Sequence, residues 1–381
     1  MRRETCVPRI DWRAKVEAIG FDFHTIDGEP YWREDVCYRF ASDEIDTLED
    51  ATAELHSMCL EAVERIVSAG RYREFGLDDY AAGLVERSWR ASEPALYGRM
   101  DLCFDGTSPP KLLEYNADTP TALFEASVVQ WYWLQDVHPT ADQFNSIHEK
   151  LIARWKQIYG GGTRLVGSPA AKIHFAACYE QAEDRATCEY LRDTAAQAGI
   201  EGIALDIEDV GWSGTEFIDL DDAAIATLFK LYPWEWLLDE RFAANIAKVG
   251  MHWIEPAWKM LLSNKSILAL LWEFFPDHPN LLPASQRRGD LTGAIQSSSI
   301  VRKPRHGREG EGVIVLGAGI SEPAADAPQV YQQFQQLPHF DDRYALIGSW
   351  VVGHDPAGIG IREDADRITR NTSCFVPHYF D

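Results

Sequence analysis

The chain has 381 residues, 46% of them hydrophobic and 25% charged, the composition of an ordinary globular protein with a large core. Sixty Asp and Glu against 36 Lys and Arg leave a formal net charge of -24. Nucleic acid and anionic membranes are polyanions and fit badly as partners, whereas a polyamine or magnesium suits the sign.

The N-terminus, Met1-Arg-Arg-Glu-Thr-Cys6, has charge with no apolar run behind it, so no signal peptide is visible. From Ser42 to Ala69, Ile45, Leu48, Leu55, Met58, Ala62 and Ile66 recur at helical spacing, with Gly70 just past the end, which predicts a helix. Two short runs follow, Arg99-Met-Asp-Leu-Cys-Phe and Lys111-Leu-Leu-Glu-Tyr-Asn, around a turn rich in Gly and Pro, a hairpin pattern. Lys172–Ala177 reads as a strand, Asp184–Ala198 as a helix ending at Gly199 and Ile203–Leu205 as a strand, an alternation that predicts an α/β layer with a parallel element. Asn264–Phe275 is a short helix stopped by Pro276, and Ile267–Trp272 within it is too short to span a bilayer. A strand Ser298–Lys303, a glycine-rich loop Gly307–Gly312 and a strand Val313–Leu316 come next. Strands Tyr344–Val352 and Gly358–Arg362 then flank a turn at His354-Asp-Pro-Ala-Gly.

Two clusters carry chemistry. Arg99-x-Asp101 and Glu114-x-Asn116 lie on the predicted hairpin strands, where residues two apart share a face, so the four side chains can converge. Two carboxylates and an amide oxygen are hard ligands suited to magnesium, with an arginine beside them to meet phosphate or carboxylate; in isolation the same pattern is commonly a solvated strand face. The run Lys303-Pro-Arg-His-Gly307-Arg308-Glu-Gly310-Glu-Gly312 can bring backbone N–H groups and two cations against phosphates. It is neither a Walker loop nor a dinucleotide fingerprint, and a flap over triphosphate is its functional reading, beside the plain one of a turn between strands.

These residues, with Asn116-Ala-Asp118-Thr119-Pro-Thr121, Glu125, Glu255-Pro-x-Trp258, Asn264-Lys265, Leu271-Trp272 and Phe275-Pro276, closely resemble the glutathionylspermidine synthase family from about Arg99 onward. The resemblance implies an α/β ATP-grasp fold with a preceding α/β, pre-ATP-grasp-like domain. The chain divides accordingly into a mainly helical region 1–95 packing on the core, an α/β substrate- and metal-binding part 96–255, and a nucleotide-binding part 256–381 with the small glycine-loop subdomain. It also implies that Asp101, Glu114 and Asn116 hold Mg2+, that Lys265 and Lys303 contact ATP phosphates, and that Gly307, Gly310 and Gly312 form the flap. Arg308 reaches the transferred phosphoryl group, Gln332 borders adenine, Arg99 steadies the acyl phosphate and Arg362 lies near the acceptor carboxylate. Thr119 and Thr121 line a peptide pocket, and Glu183 with Asp184 attracts the amine.

The activity implied is an ATP- and Mg-dependent carboxylate–amine ligase joining a peptide-like carboxylate to an amine or polyamine through an acyl phosphate, in the cytoplasm and without nucleic acid or membrane. The rivals are a retired nucleotide-binding sensor and an acidic polyamine- or cation-binding protein. The chain has no room for the amidase domain of bifunctional members, so no amidase activity is expected. A stretch expected to read K-T-x-x-W-E-T reads Lys230-Leu-Tyr-Pro-Trp234-Glu-Trp236, without the two hydroxyls that help hold glutathione. The seven cysteines lack any C-x-x-C pair and read as reduced thiols, not a zinc site. His174, His252, His306, His339, His354 and His378 show no metal-ligand spacing, and the 13 tryptophans read as packing residues.

Overall fold

A computed structural model describes residues 1–160, 172–291, 299–308, 310–317, 324–325, 327–370 and 373–381. Its centre is an antiparallel sheet in the order Cys374–Val376, Asp355–Asp364, Arg343–Val352, Tyr97–Cys103, Lys111–Asn116, with His339–Phe340 paired to Arg343–Val352. Residues far apart in sequence thus share one sheet. All of Tyr97–Cys103 is buried, yet its two faces differ in chemistry. Met100 and Leu102 join Leu112, Tyr115, Ile347, Ile359 and Ile361 in an apolar core with Leu55, Met58, Ala62 and Ile66 of helix Ser42–Ala69. Arg99 and Asp101 belong to the opposite face, as period-two alternation requires.

The long helix runs as its periodicity predicts, with Asp43 and Glu44 in its first turn, where the helix dipole favours negative charge, and Gly70 at φ 67° closing it. Its buried stripe covers one face of the sheet and leaves the other to the cleft.

A four-stranded parallel sheet, ordered His252–Ile254, Thr227–Leu231, Lys172–Ala177, Glu201–Asp206, forms the second layer. The predicted strand–helix–strand unit is there, with its helix at Ala182–Gln197. The Glu255-Pro-x-Trp258 motif joins this layer to the central sheet: the buried Glu255 carboxylate accepts from the Leu96 and Tyr97 amides at 3.0 and 2.9 Å and pairs with Lys259 at 2.5 Å. A smaller antiparallel sheet, ordered Ala284–Ser285, Gln329–Gln333, Ile300–Pro304, Ile314–Leu316, packs on helix Ser266–Phe274. In the terminal sheet Val36–Phe40 lies between Arg2–Thr5 and His378–Phe380 and pairs with both.

Some boundaries differ from expectation. The turn placed at His354–Gly358 is tighter: Val352 pairs with Asp355, so only Gly353 and His354 turn, and Asp355-Pro-Ala lies in the strand. The Asn264–Phe275 helix begins at Ser266, whose amide donates to Asn264 Oδ1 at 2.9 Å. Ser298, and Glu309 in the glycine-rich run, lie outside the described residues. Among those described, no helix is long and apolar enough to cross a membrane.

Candidate active site

The hairpin's register decides the site. Arg99 pairs with Asn116 and Asp101 with Glu114, so all four side chains meet on one face. An irregularity between Asp101 and Leu102 puts Leu112 opposite Leu102 and keeps apolar residues on the helix side. Arg99 grips Asp101 through Nε and Nη2, at 2.7 and 3.3 Å, and donates Nη1 to the Thr121 carbonyl at 2.6 Å. Arg362, from the far side of the sheet, donates to Asp101 Oδ2 at 2.8 Å. Between the two strands Gly348 leaves room for this contact, since a Cβ there would lie 2.8 Å from Arg99 Cδ.

Asp101 is therefore one carboxylate between two guanidiniums. Burial pushes it up, but Arg99 and Arg362 together outweigh this and hold it below the usual carboxylate range. Arg362 is lowered, first by burial and then by the like charge of Arg99. One anion for two buried cations leaves net positive charge suited to a further carboxylate or phosphate.

Opposite stand the lysines. Lys265 Nζ lies 3.2 Å from Glu114 Oε2 and donates to the Gly307 carbonyl at 2.5 Å. Lys303 Nζ donates to the Leu113 carbonyl and to Gln332 Oε1, at 2.7 and 2.8 Å. Burial pushes Lys303 down to about 8. Gln332 also donates to the Leu112 carbonyl at 3.0 Å, so its side chain braces the lysine against the hairpin. Glu114 and Asn116 line the cleft, and the Asn116 carboxamide has no hydrogen-bond partner among the described residues. Asp101, Glu114 and Asn116 line one cleft and are hard oxygen donors of the kind that suits Mg2+; in this structure Arg99 and Arg362 engage both oxygens of Asp101 and Lys265 engages Glu114 Oε2.

The glycine-rich run closes the cleft from above. Arg308 Nη2 donates to Thr119 Oγ1 at 2.7 Å, and its guanidinium carbon sits 4.9 Å from the Trp236 ring centroid. Gly310, at φ 73°, lies so near Thr369 that a Cβ would stand 2.6 Å from its carbonyl oxygen. The cleft holds ≈ 1350 Å³ of empty space, open mouth included. Val301 and Val315 of the small sheet and Val313 just before it, with Leu113, Leu337 and Leu346, give the cleft an apolar slot.

Of the residues singled out from sequence, Arg99, Asp101, Glu114, Asn116, Thr119, Thr121, Lys303, Gly307, Arg308, Gly310, Gln332 and Arg362 line this cleft. Lys265 adjoins it through Glu114 and Gly307. Gly312, at φ 68°, packs beside Pro304. Glu183 and Asp184 are not among the lining residues; they begin helix Ala182–Gln197, and Glu183 accepts from the Ala122 amide at 3.1 Å.

Three features escaped the sequence reading. Asp118, which also lines the cleft, and Lys230 form a buried pair at 2.6 Å, and Asp118 accepts from the Trp234 amide at 2.8 Å. Glu235 lines the cleft and Trp236 faces Arg308. Glu125, fully buried beside Glu183, accepts the Tyr31 hydroxyl at 2.6 Å, and its Oε2 has no partner among the described residues. Burial, and then Glu183, push its carboxyl up to about 8.

The family described as glutathionylspermidine synthase preATP-grasp matches residues 3–381. A provisionally named acid–amine ligase of Haemophilus influenzae is 42% identical over 100% of both chains. Trypanothione synthetase of Crithidia fasciculata is 27% identical over 85% of this chain and 53% of its own. The bifunctional glutathionylspermidine synthetase/amidase of Escherichia coli is 24% identical over 86% and 56%. The chain thus spans about half the length of the latter two. A glutathione synthetase-like effector from Globodera pallida, solved in its apo form, shares the fold at TM-score 0.58 and 11% identity over 91% of this chain and 89% of its own.

Proposed function

The chain belongs to the glutathionylspermidine synthase family of ATP-dependent amide-forming ligases, and from that premise we propose that this cleft joins a peptide-like carboxylate to an amine or polyamine through an acyl phosphate. The observation that carries the reading is the meeting of three charge groups in one cleft. Oxygen donors (Asp101, Glu114, Asn116), cations suited to phosphate (Lys303 and Arg308, with Lys265 adjoining through Glu114) and the Arg99–Asp101–Arg362 cluster line or border one cleft.

A carboxylate is a poor electrophile at neutral pH, and phosphorylation converts one oxygen into a leaving group. That transfer needs positioning and charge neutralisation rather than a protein nucleophile. In this reading the apolar slot of Val301, Val315 and Leu346 takes the base, while Lys303 and Lys265 hold the triphosphate. Mg2+, held by Asp101, Glu114 and Asn116, would neutralise phosphate charge. Arg362 and Arg99 orient the acceptor carboxylate; Arg308, on the glycine-rich run, meets charge developing on the transferred group and helps to keep water from the acyl phosphate. Glu183 and Asp184, beyond Thr121, supply negative charge on the side from which a cationic amine would enter.

The acyl pocket departs from a glutathione site in one respect. Trp236 puts an indole where a hydroxyl was expected, and Arg308 stacks on it. The carboxylate substrate is therefore a peptide-like acid whose contacts here are apolar. A matrix of small peptides and amines, scored for ADP release coupled to a new amide mass, tests the proposal. One productive pair that fails in Arg362→Ala supports it, and ATP hydrolysis without amide across the matrix refutes it.

A further inference from the structure

Cys6, Cys37 and His138 meet away from the cleft, on three separate elements. Cys6 follows strand Arg2–Thr5, Cys37 lies on Val36–Phe40 and His138 follows helix Gln130–Val137. The two Sγ atoms are 2.9 Å apart, and one ligand atom from each of the three residues falls within 4.8 Å of the others. The imidazole is fixed by stacking on Tyr379, with centroids 4.1 Å apart and planes at 21°, and Tyr379 in turn donates its hydroxyl to Glu4 at 2.9 Å. Neither ring nitrogen of His138 has a hydrogen-bond partner among the described residues.

We propose that Cys6, Cys37 and His138 bind a soft divalent transition-metal ion, with Zn2+ as its representative, through two thiolates and one imidazole, leaving the fourth position open to water. Thiolate and imidazole are the ligands such ions select, and a tetrahedral arrangement with one open position is the habit of zinc bound by three protein groups. Zinc–sulfur bonds of about 2.3 Å would set the two sulfurs about 3.8 Å apart, under 1 Å from their present spacing. Binding breaks two S–H bonds, forms two metal–sulfur bonds and releases both protons to solvent, with no change of oxidation state.

The surroundings favour a cation over a free thiolate pair. Cys6 is lowered by its hydrogen bond to Cys37, while burial and the carboxylates Glu4, Glu34 and Asp35 pull it upward. A dication relieves that negative field. His138 is lowered by burial, which favours the neutral, ligating form. A Cys6–Cys37 disulfide is the competing chemistry, and it would leave the oriented, unpartnered imidazole without a role. A bound ion would tie the N-terminal segment and the terminal sheet to the helix that continues from Glu125–Val129.

The test uses the full chain without an affinity tag, reduced, stripped with chelator and kept in excess Mg2+, which does not compete for thiolates. Zn2+ is titrated against a chromophoric chelator, and Co2+ is followed by its thiolate charge-transfer band. One equivalent should bind, weakened on the order of 100-fold in Cys6→Ser and Cys37→Ser and on the order of 10-fold in His138→Ala, with Cys103→Ser unchanged. Zn2+ should raise the unfolding midpoint of the wild type but not of Cys6→Ser, whose partly exposed position tolerates the change. Absence of stoichiometric uptake, or uptake indifferent to both serine variants, overturns the proposal. So does a protein that loses two hydrogens of mass on mild oxidation yet takes up no metal when reduced.

Discussion

Replacing Arg308 by alanine separates transition-state stabilisation from binding and from folding. In the structure its guanidinium makes one hydrogen bond to the Thr119 hydroxyl and one stack on the half-exposed Trp236. The charge-assisted hydrogen bond is worth about 1.5–3 kcal/mol at most and the exposed stack about 0.5–1 kcal/mol, so the fold should survive the loss of both. If the guanidinium stabilises charge on the transferring phosphoryl group, its removal should cost about 2–4 kcal/mol in kcat, on the order of 30- to 1,000-fold. ATP affinity should change by less than about threefold, because the interaction strengthens mainly in the transition state. The assay is coupled ADP release with a productive peptide–amine pair, alongside calorimetric ATP binding. Carboxylate labelled with oxygen-18 should also deliver one labelled oxygen to inorganic phosphate. Unchanged turnover, or a loss confined to KM for ATP, would refute the assignment; unlabelled phosphate accompanying amide formation would refute the acyl phosphate.

Glu114→Gln combined with Asn116→Ala should shift the Mg2+ dependence of turnover upward by at least tenfold while leaving the unfolding midpoint within a few degrees, since both side chains border the cleft. A midpoint loss without a change in Mg2+ response would make them structural. Lys303, pushed down to about 8, should lose its charge as pH rises through that value, so ATP affinity should fall above pH 8, and Lys303→Arg should remove the fall because arginine stays charged. In the free protein the same depressed pKa means that the unfolded chain binds more protons above pH 8, so this lysine's contribution to stability rises with pH toward its unfolded value. Glu125 acts in the opposite sense: pushed up to about 8 by burial, it holds a proton that the unfolded chain has released, and the stability it contributes is lost as pH rises from the ordinary carboxyl range through 8. Glu125→Gln, which keeps an acceptor for Tyr31, should flatten the pH dependence of thermal unfolding across that window. A slope identical to the wild type would place the buried proton elsewhere.

Sequence alone determined whatever depends on local order. The stripe Ile45, Leu48, Leu55, Met58, Ala62, Ile66 sets a helix because neighbours at three and four residues share a face. The x-spacing in Arg99-x-Asp101 and Glu114-x-Asn116 sets a shared strand face, and a Gly- and Pro-rich turn sets the hairpin that pairs them. Ordered motifs were enough for the family. Tertiary structure decided the rest, because its partners lie tens to hundreds of residues apart. Arg362 reaches Asp101 only because the C-terminal strands insert beside Tyr97–Cys103 in one sheet. Lys230 is buried against Asp118, and Glu125 holds its proton because the pull of Arg99 is too small to offset the loss of water and the charge of Glu183. Cys6, Cys37 and His138 have no motif spacing at all, and strand pairing together with the end of one helix brings them together. Periodicity along a chain reports which way a side chain faces; what it faces depends on how distant segments pack, and pKa and ligand geometry follow from that packing.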